Sequence, residues 1–148
     1  MTREEQDAII QQAIAILKRR YRRGTALTDP SMTKEYLTTS LTTYEQEVFV
    51  VIFLDNRHRI ISKEEMFRGT IDGASVYPRE VVKAALRYNA AAVIVSHNHP
   101  SGICEPSHCD EALTKRLKEA LSLVDVRLLD HFICAGGECM SFAERGLL

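Results

Sequence analysis

The feature that most constrains this chain is the apolar run Ala90-Ala-Ala-Val-Ile-Val95 and the histidine-bearing segment that it leads into. Six apolar residues in unbroken succession predict a short strand buried on both faces. The run passes directly into Ser96-His-Asn-His-Pro-Ser-Gly-Ile-Cys-Glu-Pro-Ser-His-Cys-Asp110. Side chains alternate along a strand, so His97 and His99 leave from the same side, where the strand ends and a loop begins. Pro100, Gly102 and Pro106 disfavour regular structure, and the chain turns. Ser107 then opens a helix whose apolar positions, Leu113, Leu117, Ala120, Leu121 and Val124, trace one face. Asp110 falls in the first turn, able to face back toward the strand end. Two imidazoles and a carboxylate converge and leave a fourth position open, a donor set that suits a catalytic zinc. Ser107-x-x-Asp110 also reads as a variant capping box. The two readings are compatible, because a capped helix start fixes where Asp110 points.

The rest of the chain supplies a sheet and its cover. Val48 to Leu54 is seven residues of apolar, mostly β-branched or aromatic character, a central strand beginning just after Glu47. Asp55 to His58 turns the chain, and Arg59 to Ser62 returns it as a hairpin. A further strand is predicted over Met66 to Ile71, broken by Gly69. Pro78 suits the first turn of a helix with Val81, Val82, Ala85 and Leu86 on its buried face and Asn89 as a left-handed stop. Arg127 to Ala135 is another strand; Gly136-Gly137 turns, and Cys139 to Phe142 pairs back. Upstream, Arg3 to Arg22 is a helix presenting Ile10, Ile14, Leu17 and Tyr21, and Met32 to Leu41 is a second, with Ser31 or Thr33 near its cap. The expected architecture is α/β, a mixed β-sheet flanked by helices, with a helical segment at 1–42 and the main domain at 43–148.

Composition narrows the function. At 148 residues the chain is too short for the large barrel hydrolases that use His-x-His. A net charge of -1 advertises no general attraction to nucleic acid. The opening MTREEQDAII lacks a signal-peptide core, and no apolar stretch could span a bilayer, so a cytoplasmic protein with no membrane partner is expected. Five cations among Lys18 to Arg23 could touch phosphates, although the plainer reading is a solvated helix end whose charges complement the macrodipole. Cys104, Cys109, Cys134 and Cys139 are expected to be reduced in such a compartment. Each pair has four residues between its members, at the wide end for a structural zinc of four thiolates, and no compact knuckle surrounds either. Asp130-His131 either buttresses the histidine site or is a plain strand-end pair. The zincin signature H-E-x-x-H and the deaminase signature are absent, and literal His97-Asn98-His99 is not the dispersed motif of the HNH nucleases.

His97-x-His99, seven residues, Ser107, two residues, Asp110 resembles the JAMM motif of the MPN-type metalloproteases. HNHPSG, EPS, LTKRL and LLDHFIC, with FRGT and YPREVVKAAL upstream, further resemble the RadC-like branch, in its short prophage-type YeeS-like form. The likeness runs from about Glu45 to Leu148. It implies one zinc per chain held by His97, His99 and Asp110. It also implies Glu47 as general base, with Glu45 as the fallback, and Ser107 as donor to the developing oxyanion. Ile103 and Cys104 depart from a loop more often polar in that family. Short N-terminal helices stand where full-length RadC proteins carry a helix-hairpin-helix segment, which removes the main family argument for DNA contact. The implied activity is zinc-dependent hydrolysis of an amide or isopeptide bond in a peptide or protein. The alternatives are a DNA-processing accessory or metal-dependent nuclease, for which only Lys18 to Arg23 speaks, and a non-catalytic scaffold. The resemblance leaves the oligomeric state open.

Overall fold

The strand Val48–Leu54 (β1) is buried at every position, which requires cover on both faces of the sheet. That sheet is seen in a computed structural model that describes residues 1–69 and 75–148. Its other strands are Ile60–Arg68 (β2), Ala92–Asn98 (β3), Arg127–Ala135 (β4) and Glu138–Ser141 (β5), in the order β2-β1-β3-β4-β5. Only β3 and β4 run parallel; the other neighbouring pairs are antiparallel. Helices Arg3–Arg20 (α1) and Pro30–Leu41 (α2) cover one face; Pro78–Arg87 (α3) and His108–Ser122 (α4) cover the other. The α/β, mixed-sheet architecture expected from the residues is the one found.

Alternation along β1 and β3 divides the core. Val48, Val50, Ile52 and Leu54 meet Leu17, Tyr21, Tyr36, Leu37 and Leu41 of the N-terminal helices. Phe49, Val51, Phe53, Val93 and Val95 meet Val81, Ala84, Ala85, Leu117 and Leu121. His97 continues the second series, pairing across the strands with Phe49. The chemistry therefore belongs to the α3/α4 face, at the end where β3 stops.

Several elements differ from expectation for physical reasons. The hairpin return and the strand predicted from Met66 are one strand, β2, through Arg68; Thr70 and Ile71 lie outside the described residues. Its charged centre survives in the sheet because this is an edge strand. Lys63 lies over the Tyr36 ring at 4.5 Å, and Glu65 accepts from Tyr44 and Arg68. Helix α1 ends at Arg20, two residues early, and α2 starts at Pro30, capped by Asp29 in place of Ser31 or Thr33. In α3 the buried face is Val81, Ala84 and Ala85, while Leu86 is 56% exposed. Asn89 does adopt the left-handed conformation, with φ 53°.

The cysteines also depart from expectation. Cys134 and Cys139 form a disulfide, and Cys104 and Cys109 are free. The physical reason is register. The Gly136-Gly137 turn sets Cys134 directly opposite Cys139, with 4.1 Å between their Cα atoms, close enough for a bridge.

Asp130 anchors the last turn of the chain. Its Oδ1 accepts from the His131 and Ala143 backbone N–H groups at 2.7 and 3.0 Å, and its Oδ2 accepts from the Ser141 hydroxyl. The carboxylate is 5% exposed, so removing it orphans buried donors. Asp130→Ala should lower the unfolding free energy by about 3 kcal/mol in a urea titration. A loss below about 0.5 kcal/mol, the level of a surface substitution, would show that these bonds are not retained in solution.

Candidate metal centre

Three segments bring the site together, each for a local reason. Glu47 immediately precedes β1, two residues before Phe49 and so on the α3/α4 side. β3 carries His97 near its end. The His99 N–H extends the parallel ladder by donating to the Cys134 carbonyl at 3.0 Å, and Gly102, with φ 86°, closes the next turn by donating to the His99 carbonyl at 3.0 Å. α4 carries Asp110 at the third position of a complete capping box. The Ser107 hydroxyl accepts from the Asp110 N–H at 3.1 Å, and the Asp110 carboxylate accepts from the Ser107 N–H at 2.8 Å.

His97, His99 and Asp110 offer ligand atoms within 4.8 Å of one another, with His97 buried and the other two half-buried. His97 Nε2 lies 3.0 Å from His99 Nε2 and 3.3 Å from Asp110 Oδ1; His99 Nε2 lies 3.2 Å from Asp110 Oδ2. Proton positions follow from the partners. His99 Nδ1 faces the Ile103 carbonyl at 2.9 Å; a carbonyl only accepts, so Nδ1 holds a proton and, in the neutral ring, Nε2 is a bare lone pair. Imidazole lone pairs and a carboxylate aimed at one another form a donor set that fits a cation. A proton can serve one contact, whereas a divalent ion serves all three, and two imidazoles with one carboxylate are a donor set that zinc accepts.

The electrostatics reflect this crowding. The hydrogen bond to Asp110 raises the His99 pKa above its ordinary 6.5; burial opposes the rise, and the Ile103 carbonyl and neighbouring carboxylates reinforce it. Burial works to raise the Asp110 carboxyl, but bonds to His97, His99 and the Ser107 N–H outweigh it and hold the group well below the usual carboxylate range. Glu47 Oε1 stands 3.9 Å from His97 Nε2. Burial raises the Glu47 carboxyl, partly offset by the two histidines. Glu45 is exposed.

Asn98 and Thr114, beside the ligands, escape sequence reasoning, whereas His131 belongs to the pair left open as a buttress of the site. Asn98 is buried on the opposite face of β3 from His97. Its side chain accepts from the Val48 N–H at 2.7 Å and donates to the Gln46 carbonyl at 2.9 Å, clamping both sides of Glu47. His131 Nε2 meets His97 Nδ1 at 2.8 Å, and its Nδ1 meets Thr114 Oγ1 at 2.6 Å. The Asp130-His131 pair is thus split by strand alternation: Asp130 holds the C-terminal turn, and His131 reaches the site. A histidine next to an aspartate is a weak signal; nothing in the sequence points to Thr114 or Asn98. At the departing loop positions, Ile103 serves through its backbone, and the Cys104 thiol donates to the Ala135 carbonyl at 3.3 Å. No cysteine joins the metal-capable group among the described residues.

Without metal, the His99 proton should be visible in stability. A raised folded-state pKa means that protonation stabilises the fold; that contribution is complete below pH 6.5 and is lost as pH rises through the folded value. His131, whose pKa burial pushes well below 6.5, has the opposite sign but acts only beneath that pH. Chelated protein should therefore show a Tm that falls as the pH rises above 6.5. Saturating zinc should reverse the slope, because protons compete for the same nitrogens. A falling slope that persists in His99→Gln would assign the proton to another group.

Among the described residues no helix is long and apolar enough to cross a membrane. The RadC-like JAB domain family matches residues 27–147. A UPF0758 protein of Nitrosococcus oceani is 65% identical over 86% of this chain and 57% of its own length. One from Halorhodospira halophila is 60% identical over 95% of this chain and 65% of its own. One from Vibrio cholerae is 56% identical over 99% and 92%. The chain thus spans less than two thirds of the first two relatives and nearly all of the third. With the motif, its geometry and a match over most of its length in agreement, the chain belongs to the RadC-like JAB domain family.

Proposed function

We propose that this chain is a zinc-dependent hydrolase that cleaves an amide or isopeptide bond in a peptide or protein, with one zinc held by His97, His99 and Asp110. The observation that carries this reading is the half-buried Glu47 carboxylate, 3.9 Å from His97 Nε2, beside a His-His-Asp donor set that fits a metal ion. A metal held by His97, His99 and Asp110 would acidify water and polarise a carbonyl when bound. In this reading Glu47 takes a proton at its Oε1 and returns it to the leaving nitrogen. Burial favours that exchange, since a raised carboxyl is a better base than an exposed one. Ser107 keeps two roles apart. Its oxygen accepts from the Asp110 N–H, which leaves its own proton free to donate to a developing oxyanion. Asn98 fixes the backbone on either side of Glu47 and so limits how far the base can wander.

The sheet also separates this site from the basic stretch. Tyr21 of the Lys18 to Arg23 stretch and the adjacent Leu17 pack with the α1/α2 core, on the face opposite that of His97, and Arg20 is paired with Glu35 at 2.6 Å. DNA held by those cations would lie across the sheet from the metal ligands, which favours an amide substrate over a phosphodiester. A cytoplasmic setting is proposed with this activity.

The test compares metal content with turnover on a fluorogenic isopeptide substrate. Glu47→Gln should keep one zinc per chain and lose about 10²–10⁴-fold in rate, because the amide cannot accept the proton. Asp110→Asn should lose metal affinity itself, since it removes a charged ligand. Ser107→Ala should keep metal, lose rate, and unfold about 1 kcal/mol more easily through the broken helix cap. Loss of metal in Glu47→Gln, with Glu45→Gln retaining metal and losing turnover, would transfer the base role to Glu45. Full turnover in all three variants would exclude this site from the chemistry.

A further inference from the structure

One buried group at the site has no part in that chemistry. His131 is fully buried, stacked on Phe142 with ring centroids 4.5 Å apart and edge-on to Phe49 at 5.9 Å. Both its nitrogens are engaged, Nε2 with His97 Nδ1 and Nδ1 with Thr114 Oγ1. Thr114 Oγ1 lies 2.8 Å from the backbone carbonyl of Asp110, one helical turn earlier. Four groups therefore stand in a line from a metal ligand to the helix that carries another metal ligand.

A line of hydrogen bonds that ends on a carbonyl has a direction. The Asp110 carbonyl accepts only, so the Thr114 proton points to it. The threonine oxygen is then an acceptor, and His131 Nδ1 must be the donor. A neutral imidazole has one proton, so His131 Nε2 is an acceptor, and His97 Nδ1 must donate to it. That leaves His97 Nε2 as a bare lone pair, facing His99 and Asp110. The reverse order is also a chain, but it turns the threonine proton away from the Asp110 carbonyl and places a proton on His97 Nε2, where a metal would have to bind. Only the first order satisfies every contact.

We propose that Thr114 and His131 are positioning residues that fix the His97 proton on Nδ1 and so present its Nε2 to the metal. The proposal rests on the metal-site reading of His97, His99 and Asp110. It makes the α4 backbone the reference for the tautomer of a ligand on β3. Because Thr114 is one turn beyond Asp110, the helix that places the carboxylate also orients the imidazole opposite it. Metal ligands held by such outer partners lose roughly 10–100-fold in affinity when the partner is removed.

The variants Thr114→Val and Thr114→Ser separate this role from packing, because the two accounts give opposite orders. Valine keeps the threonine's shape and lacks the hydroxyl; serine keeps the hydroxyl and leaves a methyl-sized gap. Zinc titrated into chelated protein against a competing chelator should bind Thr114→Val about 10-fold more weakly than wild type, and Thr114→Ser within about threefold of it. In ¹⁵N-labelled protein, long-range imidazole correlations should show His131 and His97 both protonated at Nδ1 in the wild type, with His131 losing that preference in Thr114→Val. Equal zinc affinity in wild type and Thr114→Val, or weaker binding in Thr114→Ser than in Thr114→Val, would overturn the proposal while leaving the metal site standing. A wild-type His131 protonated at Nε2 would overturn it even if the valine variant failed to fold. Wild-type protein that takes up no zinc would overturn the metal reading, and this inference with it.

Discussion

The pairing of β1 with β3 is the contact on which the rest depends. Phe49 stands opposite His97 in an antiparallel register that continues without interruption to Leu54 opposite Ala92. A slip of one residue would send the α3/α4 series to the other core and turn His97 away from α4. Such a slip is costly because both faces are covered: the displaced residues would meet the wrong helices at every step. The register is therefore held by the summed packing of two cores rather than by any feature of the site. Asn98 adds a local lock, since its side chain bonds to the β1 backbone at Val48 and to Gln46 just before it, and cannot do so in another register.

From that register the site is built with little further freedom. β3 and β4 run parallel and are joined through α4, so the start of α4 returns to the end of β3 where the histidines emerge. Ligands at strand ends and helix starts are common in α/β proteins because backbone direction brings those termini to one edge. Here the helix start contributes in two ways. Its capping box points Asp110 toward the histidines, and its second turn places Thr114 against His131. The pairing of β3 with β4 sets His131 opposite Val95, two residues before His97 on the same face, which brings the two rings within contact.

Residues reveal most readily what neighbours in sequence determine. The apolar runs of β1 and β3, the alternation that puts His97 and His99 on one side, and the cap at Ser107 are local patterns, and each is found in the structure. The departures have a common source in contacts between distant segments. Periodicity divides β2 because Lys63, Glu64 and Glu65 look unlike a strand, yet an edge strand can keep charges when Tyr36 and Tyr44 lie beside it. It also assigns Leu86 to the core of α3, because helical spacing alone does not say where the sheet ends. Cys134 and Cys139 look like free thiols in the sequence because their direct opposition depends on the hairpin register. Asn98 and Thr114 carry no signature, since each role depends on a distant partner, Gln46 lying 52 residues from Asn98 and His131 lying 17 from Thr114.

The hydrogen-bonding of the site also explains how so polar a cluster can sit inside the fold. Ser96, His97, Asn98, Thr114, Asp130 and His131 are all buried. Unpaired, each would cost on the order of 1–3 kcal/mol. Among the described residues no buried side-chain nitrogen or oxygen lacks a partner, so the cost of burial is met within the protein. The exception in kind is the contact between His97 Nε2 and His99 Nε2, where two lone pairs meet once the outer hydrogen bonds have set both protons on Nδ1. A fold that satisfies its buried polar groups so fully, yet aims two imidazole lone pairs and a carboxylate at one point, has concentrated its remaining electrostatic demand there. That demand is for a cation, and the same bonds that satisfy the surroundings create it.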